Sequence, residues 1–316
     1  MISTDTLKNQ IKALHARDVI DIEEFVSRLV QQQAVSVALE RKAIATEACV
    51  RCGSDDIMRW GKSKSGTQRF RCLACKATFG ATNQTPFFRL RNRHLWNRYL
   101  GLMGQHVSLK RLREDHRIPL SIGTLHRWRH RFLDRLTTNP TDPLAGIVEA
   151  DEKFFRTAYK GTRDFKRGNP PQLRRARRRG GAQRQGLGME QVPTLTAMDR
   201  SGAICQTRIP DLKWATISTT LKPWIEPGSV LCTDGNFAYG QAAREAQCDH
   251  IVAKTKNRAT TLSIGRIDAY HRDVENLVNR RCMGVSTRYL MNYFGWARRI
   301  TQHKPFGGDL LAELLA

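Results

Sequence analysis

Apolar residues recur every three or four positions between about 5 and 42, at Leu7, Ile11, Leu14, Val19, Ile22, Phe25, Leu29 and Val35. That spacing predicts a helical leader. Helical spacing returns near residue 95, with an apolar stripe over Leu95–Met103, a short helix from Ser108 and a third helix from Thr124 to Leu133. The turn from Arg117 to Gly123 contains Pro119, and Ser121 has the side chain to cap the helix after it. Residues 137–146, rich in Thr, Pro, Asn and Asp, read as a linker. Beyond them the pattern shortens to that of strands. Gly146–Phe155 is one candidate; Val192–Met198 and Ala203–Ile209 are two more, joined by a hairpin turn at Asp199-Arg-Ser-Gly. Trp214–Trp224 reads as a helix, Ser229–Asp234 as a buried strand ending on a carboxylate, Phe237–Ala246 as a helix and His250–Ala253 as a short strand. From Ala269 to Trp296 the pattern is mainly helical, with Tyr289, Tyr293 and Trp296 at core spacing. Strand, hairpin, helix, strand, helix, strand, helix predicts a mixed α/β sheet flanked by helices.

Between the leader and the first helices lies a segment with neither period. There Cys49-Val-Arg-Cys52 and Cys72-Leu-Ala-Cys75 form two knuckles separated by 19 residues. Two Cys-x-x-Cys pairs at that distance supply the four corners of a tetrahedral zinc site. Met58, Trp60, Arg69 and Phe70 alternate between the knuckles as short strands would. So small a unit has little core, so metal binding would supply its folding energy. Four thiolates leave no open coordination position, which makes this zinc (Zn²⁺) structural. Cys205, Cys232, Cys248 and Cys282 are single and read as core thiols. No signal peptide precedes the leader, and no run of about 18 apolar residues spans a bilayer. The expected setting is therefore cytoplasmic and reducing, with no membrane role.

Charge narrows the class of partner. Against 29 Asp and Glu stand 53 Lys and Arg, a formal net charge of +24. Such an imbalance attracts polyanions, nucleic acid first among them. Arg127, Arg129 and Arg131 crowd the third helix, so the short helix, turn and third helix read as a helix-turn-helix with those arginines on DNA. A second cluster, Arg174, Arg175, Arg177, Arg178 and Arg179, lies in a long basic loop at 156–188. Little in that loop is apolar, and phosphate contact is its expected role.

Three carboxylates fall where metal chemistry would use them: Asp151 on the first strand, Asp234 at the end of a later one and Glu275 on a helix. Phosphodiester cleavage with two divalent ions needs acidic groups that converge, one bridging the ions and the others holding one each. Glu149 and Glu152 flank Asp151 and are read as structural, on the face opposite to it. Asp199 is read as a turn residue. His271 shares a helix face with Glu275; a packed histidine is the favoured reading, a contact to a metal-bound phosphate the other.

The blocks Val148-Glu-Ala-Asp-Glu-Lys-Phe-Phe, Leu231-Cys-Thr-Asp-Gly-Asn and Gly284 to Trp296, together with the basic loop, resemble those of bacterial insertion-sequence DDE transposases. The likeness is greatest to insertion-sequence family 1595, with its ISXO-type transposase domain behind a zinc ribbon, and covers roughly residues 49 to 300. The resemblance implies an RNase H-like catalytic domain, DNA strand cleavage and transfer, and dependence on Mg²⁺ or Mn²⁺. By position, the resemblance puts Asp151 and Asp234 in the two aspartate places and Glu275 where the family carries its third acid or an Asn. Relatives carry a Lys about two helical turns beyond the third acid; here the stretch is shorter, and that place is lost or filled by Arg280 or Arg281. The expected organisation is a helical leader (1–45), a zinc ribbon (46–92), a helix-turn-helix region (93–137), the catalytic domain (146–302) and a tail (303–316). The expected partners are double-stranded DNA, as element ends and target, and a second copy of the chain, since two ends must be paired; nucleoid association would follow. The alternative is a non-catalytic DNA-binding regulator built on the ribbon and helix-turn-helix. A third possibility is an RNA-directed nuclease or ribosome-associated factor.

Overall fold

The computed structural model describes residues 3–139, 142–160, 190–253 and 262–316. Arg174, Arg175, Arg177, Arg178 and Arg179, and most of the 156–188 loop, lie outside the described residues. The chain divides into two compact units, residues 1–127 with 305–316, and residues 128–304.

In the first unit the leader forms α1 (Thr4–Lys12) and the long α2 (Ala16–Ile44). The Ser3 hydroxyl caps α1 by accepting from Thr6 N–H. Only the C-terminal half of α2 is buried, through Val35, Leu39 and Ala43, while Phe25, Val26, Leu29 and Val30 face outward. Helical spacing thus gave the helix, but most of its apolar stripe is not core. The ribbon follows as an antiparallel sheet of β1 (Ile57–Lys62), β2 (Gln68–Cys72) and β3 (Thr78–Gly80), with Phe70 stacked on Phe79 at 5.5 Å. Then come α3 (Trp96–Gly104), α4 (Leu109–Glu114) and α5 (Ile122–Leu133), whose residues up to Arg127 belong to this unit and the rest to the second. Ser108 caps α4 and the Ser121 hydroxyl accepts from Thr124 N–H at 3.2 Å to cap α5. Tyr99 Oη donates to the Leu125 carbonyl at 2.7 Å, tying α3 to the start of α5.

The second unit is built on a five-stranded mixed sheet. Its strands are β4 (Ile147–Arg156), β5 (Gln191–Asp199), β6 (Ile204–Arg208), β7 (Val230–Thr233) and β8 (Asp249–Val252), in the order β6-β5-β4-β7-β8. β4, β5 and β6 are antiparallel neighbours, whereas β7 runs parallel to β4 and β8 parallel to β7. The tight β5–β6 hairpin is set by Asp199, whose Oδ1 accepts from the Ser201 hydroxyl at 2.6 Å and Ala203 N–H at 2.9 Å. One sheet face, carrying Val148, Ala150, Leu195, Ala197 and Leu231, packs with α6 (Trp214–Leu221) and α7 (Phe237–Glu245) through Ile217, Leu221, Tyr239 and Ala242. The other face receives α8 (Gly265–Glu275), which runs into a widened π-helical turn at Asn276–Arg281, and α9 (Leu290–Thr301). Tyr293 and Trp296 on α9 are buried as their spacing predicts. A last helix, α10 (Gly308–Leu315), packs on α2 and α3 within the first unit.

Candidate metal centres

The two knuckles bring their four sulfurs together. Cys49 Sγ lies 3.6 Å from Cys75 Sγ, and Cys52 Sγ lies 3.6 Å from Cys72 Sγ. All four fall within 4.8 Å of one another. A tetrahedron with Zn–S bonds of about 2.3 Å has edges of about 3.8 Å, so the cluster has the dimensions of a zinc site. The Arg51 backbone N–H points at Cys49 Sγ, 3.4 Å away, and holds that thiol down to about 6 against the opposing effect of desolvation. Cys52 in the same cluster is pushed the other way, to about 11, because the lowering by the Ser54 N–H is outweighed by the Cys75 sulfur and burial; Cys49 ionises readily, whereas Cys52 needs the charge of a metal.

The second centre lies where β4 outruns β7. The parallel ladder pairs Ile147, Val148 and Glu149 with Val230, Leu231 and Cys232; the β4 pairing with β5 continues to Arg156. The β4 edge on the β7 side is therefore open at Asp151 and Glu152. Asp234 directly follows the last residue of β7. Carboxylate oxygens of Asp151, Glu152 and Asp234 lie within 4.8 Å of one another. Glu152 is pushed up to about 7, first by burial and then by the charges of Asp151 and Asp234. Three carboxylates so close repel one another when ionised, and a hard divalent cation relieves that repulsion.

The loop that carries Asp234 is pinned on every side. Thr233 Oγ1 lies 2.9 Å from His250 Nε2 and accepts from Gly235 N–H at 3.3 Å. Gly235 has φ +98°, and an added Cβ would press into Val252, so only glycine fits there. Asn236 donates its backbone N–H to Asp234 Oδ1 and its side-chain amide to Glu152 Oε1, each at 3.1 Å. Its own Oδ1 caps α7 by accepting from Ala238 N–H. Below them Tyr239 is buried, its phenol raised well above its usual range by burial and then by the Glu152 charge.

The expected residues are placed unevenly. Asp151 and Asp234 come together. Glu275 does not join them; it pairs with Lys153 at 3.2 Å, two residues farther along β4. His271, one helical turn earlier, is the α8 residue level with Asp151. Glu149 corrects its expected place. Two residues from Asp151, it lies on the same strand face, 1% exposed, accepting from Arg266 and Ile267 N–H at the start of α8 and pairing with Arg200 at 3.2 Å. Alternation turns Glu152 from Asp151, which is the structural expectation; the open strand edge brings it back to the cluster. On α5, Arg127 is exposed and Arg131 half-buried, but Arg129 is only 5% exposed, its guanidinium 5.1 Å from the Trp296 ring. Arg129 is thus packed in the protein rather than presented to DNA.

Residues 143–296 match the family model of the ISXO2-like transposase domain, of insertion-sequence type 1595. Residues 43–76 match that of the InsA N-terminal domain, a zinc ribbon. No curated protein matches the chain.

Proposed function

The chain carries an ISXO2-like transposase domain behind an InsA-type zinc ribbon, and from that premise we propose that it is a DDE-type DNA transposase with an RNase H-like catalytic domain, cutting and joining strands at the ends of its own insertion sequence. The observation that carries the reading is the convergence of Asp151, Asp234 and Glu152 at the open edge of β4. All three are hard oxygen donors, suited to Mg²⁺ or Mn²⁺ rather than to zinc or copper. Two such ions, when bound, would activate the attacking water or 3′-hydroxyl and stabilise the leaving oxygen. Asp151 and Asp234 take the two aspartate roles. The third carboxylate within their reach is Glu152, since Glu275, expected in that role, is engaged by Lys153. Asn236 fixes Asp234 and Glu152 relative to each other through its two hydrogen bonds.

The four-cysteine cluster would hold one structural zinc per chain. Exposed Arg127 on α5 and the arginines at 174–179 would contact phosphate. Pairing two element ends calls for a homodimer or a larger assembly on double-stranded DNA. Among the described residues no helix is long and apolar enough to cross a membrane; action on DNA would bring the protein to the nucleoid.

Cleavage and strand transfer on the element's own terminal repeats tests the reading. Asp234→Ala should reduce both to background while leaving affinity for the repeats within a few-fold. Cleavage by Asp234→Ala at the wild-type rate would defeat the catalytic assignment. Specific binding by a wild-type protein that never cleaves in Mg²⁺ or Mn²⁺ would leave a DNA-binding regulator instead.

A further inference from the structure

His271 is 3% exposed and sits on the α8 face turned to the sheet. Its Nε2 lies 2.9 Å from Thr196 Oγ1, and its Nδ1 faces Asp151 Oδ2 at 3.4 Å. Thr196 is also the cross-strand partner of Asp151 in the β4–β5 ladder. Helix, sheet register and imidazole thus meet at one carboxylate.

The protonation pattern follows from the contacts. A bare Nδ1 lone pair would repel the carboxylate oxygen, so the proton belongs on Nδ1. With the proton on Nδ1, Nε2 is left to share a hydrogen bond with the Thr196 hydroxyl, which can donate or accept. The ring cannot slide away, because Glu149 anchors the first turn of α8 through the N–H groups of Arg266 and Ile267, at 3.0 and 3.1 Å. Buried as it is, the imidazole needs a partner on each nitrogen, and what marks this one is that the Nδ1 partner is the Asp151 carboxylate of the metal cluster.

We infer that His271 is a positioning residue for Asp151: it engages one carboxylate oxygen through Nδ1–H and leaves the other turned to Asp234 and Glu152, where a divalent cation binds. The inference rests on the metal-site reading above. The Nδ1–Asp151 separation of 3.4 Å is long for a hydrogen bond and would tighten in the loaded site, as such contacts do. Partners of this kind orient the ligand, and their loss weakens metal affinity by about 10- to 100-fold.

Mn²⁺ binding to the full chain, followed by electron paramagnetic resonance of the free ion, reads this directly. His271→Phe keeps the ring volume without a donor and should weaken Mn²⁺ binding by about 10-fold or more. His271→Asn puts an amide near the Nδ1 position and should recover most of the loss. Thr196→Val, which leaves His271 in place, should shift affinity in the same direction by a smaller factor and serves if His271→Phe does not fold. The half-saturating Mn²⁺ concentration for cleavage should move by the same factors, with zinc content and circular dichroism unchanged. Unaltered Mn²⁺ affinity in His271→Phe, or equal affinity in the Phe and Asn variants, would overturn the inference. If His271→Phe does not fold, unaltered affinity in Thr196→Val overturns it. Asp151→Asn separates the two levels: if it too leaves Mn²⁺ binding intact, the metal-site reading itself falls. If it abolishes binding while the His271 variants bind normally, only the positioning role is lost.

Discussion

At the scale of single residues, the contest for the third carboxylate can be decided by experiment. Glu152→Gln keeps shape and the bond to Asn236 but removes a charge from the cluster; Glu275→Gln removes only the partner of Lys153. Glu152→Gln should therefore lower the cleavage rate by at least tenfold more than Glu275→Gln, as single-turnover rates on a pre-nicked repeat would show. A larger loss in Glu275→Gln would restore Glu275 to the triad. The raised Glu152 also sets a pH dependence. Its folded value of about 7 exceeds its unfolded one of about 4.5, so between these pH values the folded protein holds a proton that the unfolded chain has released. Stability of the metal-free protein should thus fall as pH rises through that window and level off above it. A divalent cation competes with that proton, so Mn²⁺ should raise the melting temperature more at pH 8 than at pH 5.5. Glu152→Gln should remove most of the difference. Asp151 and Asp234 were legible because each lies in a matched block at a strand position. Glu152 was not, since alternation assigns side chains to faces but is silent about where a neighbouring strand stops. Arg127, Arg129 and Arg131 show a related limit. Two residues on a helix are about 200° apart, so Arg129 had to point away from the other two, and it packs on Trp296.

At the scale of elements, α9 is held by a glycine rather than by its aromatics alone. An added Cβ at Gly295 would overlap the backbone of Leu136. That closeness lets Arg298, one turn on, donate to the Leu136 carbonyl at 2.8 Å and to Asn139 Oδ1 at 2.7 Å. The buried guanidinium thereby satisfies backbone carbonyls in the segment before β4. Gly295→Ala should force helix and backbone apart and cost about 3 kcal/mol, lowering the melting temperature by roughly 10 °C. A shift under about 2 °C in calorimetry would mean that α9 repacks freely. Such a contact is invisible in sequence, where Gly295 merely interrupts an apolar stripe. The periodic elements themselves were readable: the β5–β6 hairpin, α7 and the ribbon strands follow from turn residues, caps and alternation. The leader was readable as a helix but not as an exposed one, because period reports shape and not whether a partner covers the face.

For the whole molecule the decisive quantity is charge, and it is fully legible without coordinates. A net +24 over 316 residues makes DNA affinity a matter of counterion release, with log K falling by about 0.9 per phosphate contact for each unit of log salt. The arginines at 174, 175, 177, 178 and 179 lie within a few residues of one another, so they can engage neighbouring phosphates on one duplex. Replacing all five with glutamine should therefore reduce the slope by up to about 4.5. Because these contacts read backbone and not bases, terminal-repeat and unrelated DNA should lose affinity alike, and the ratio between them should stay within a few-fold. Arg127→Gln, on the exposed side of α5, should behave differently: a slope change near 1, and a lower ratio if α5 reads base edges as a recognition helix does. Titrations at several salt concentrations on both DNAs separate these outcomes. An unchanged slope in the five-arginine variant would remove that segment from the DNA interface, and the charge that holds the duplex would have to come from the ribbon and α3–α5.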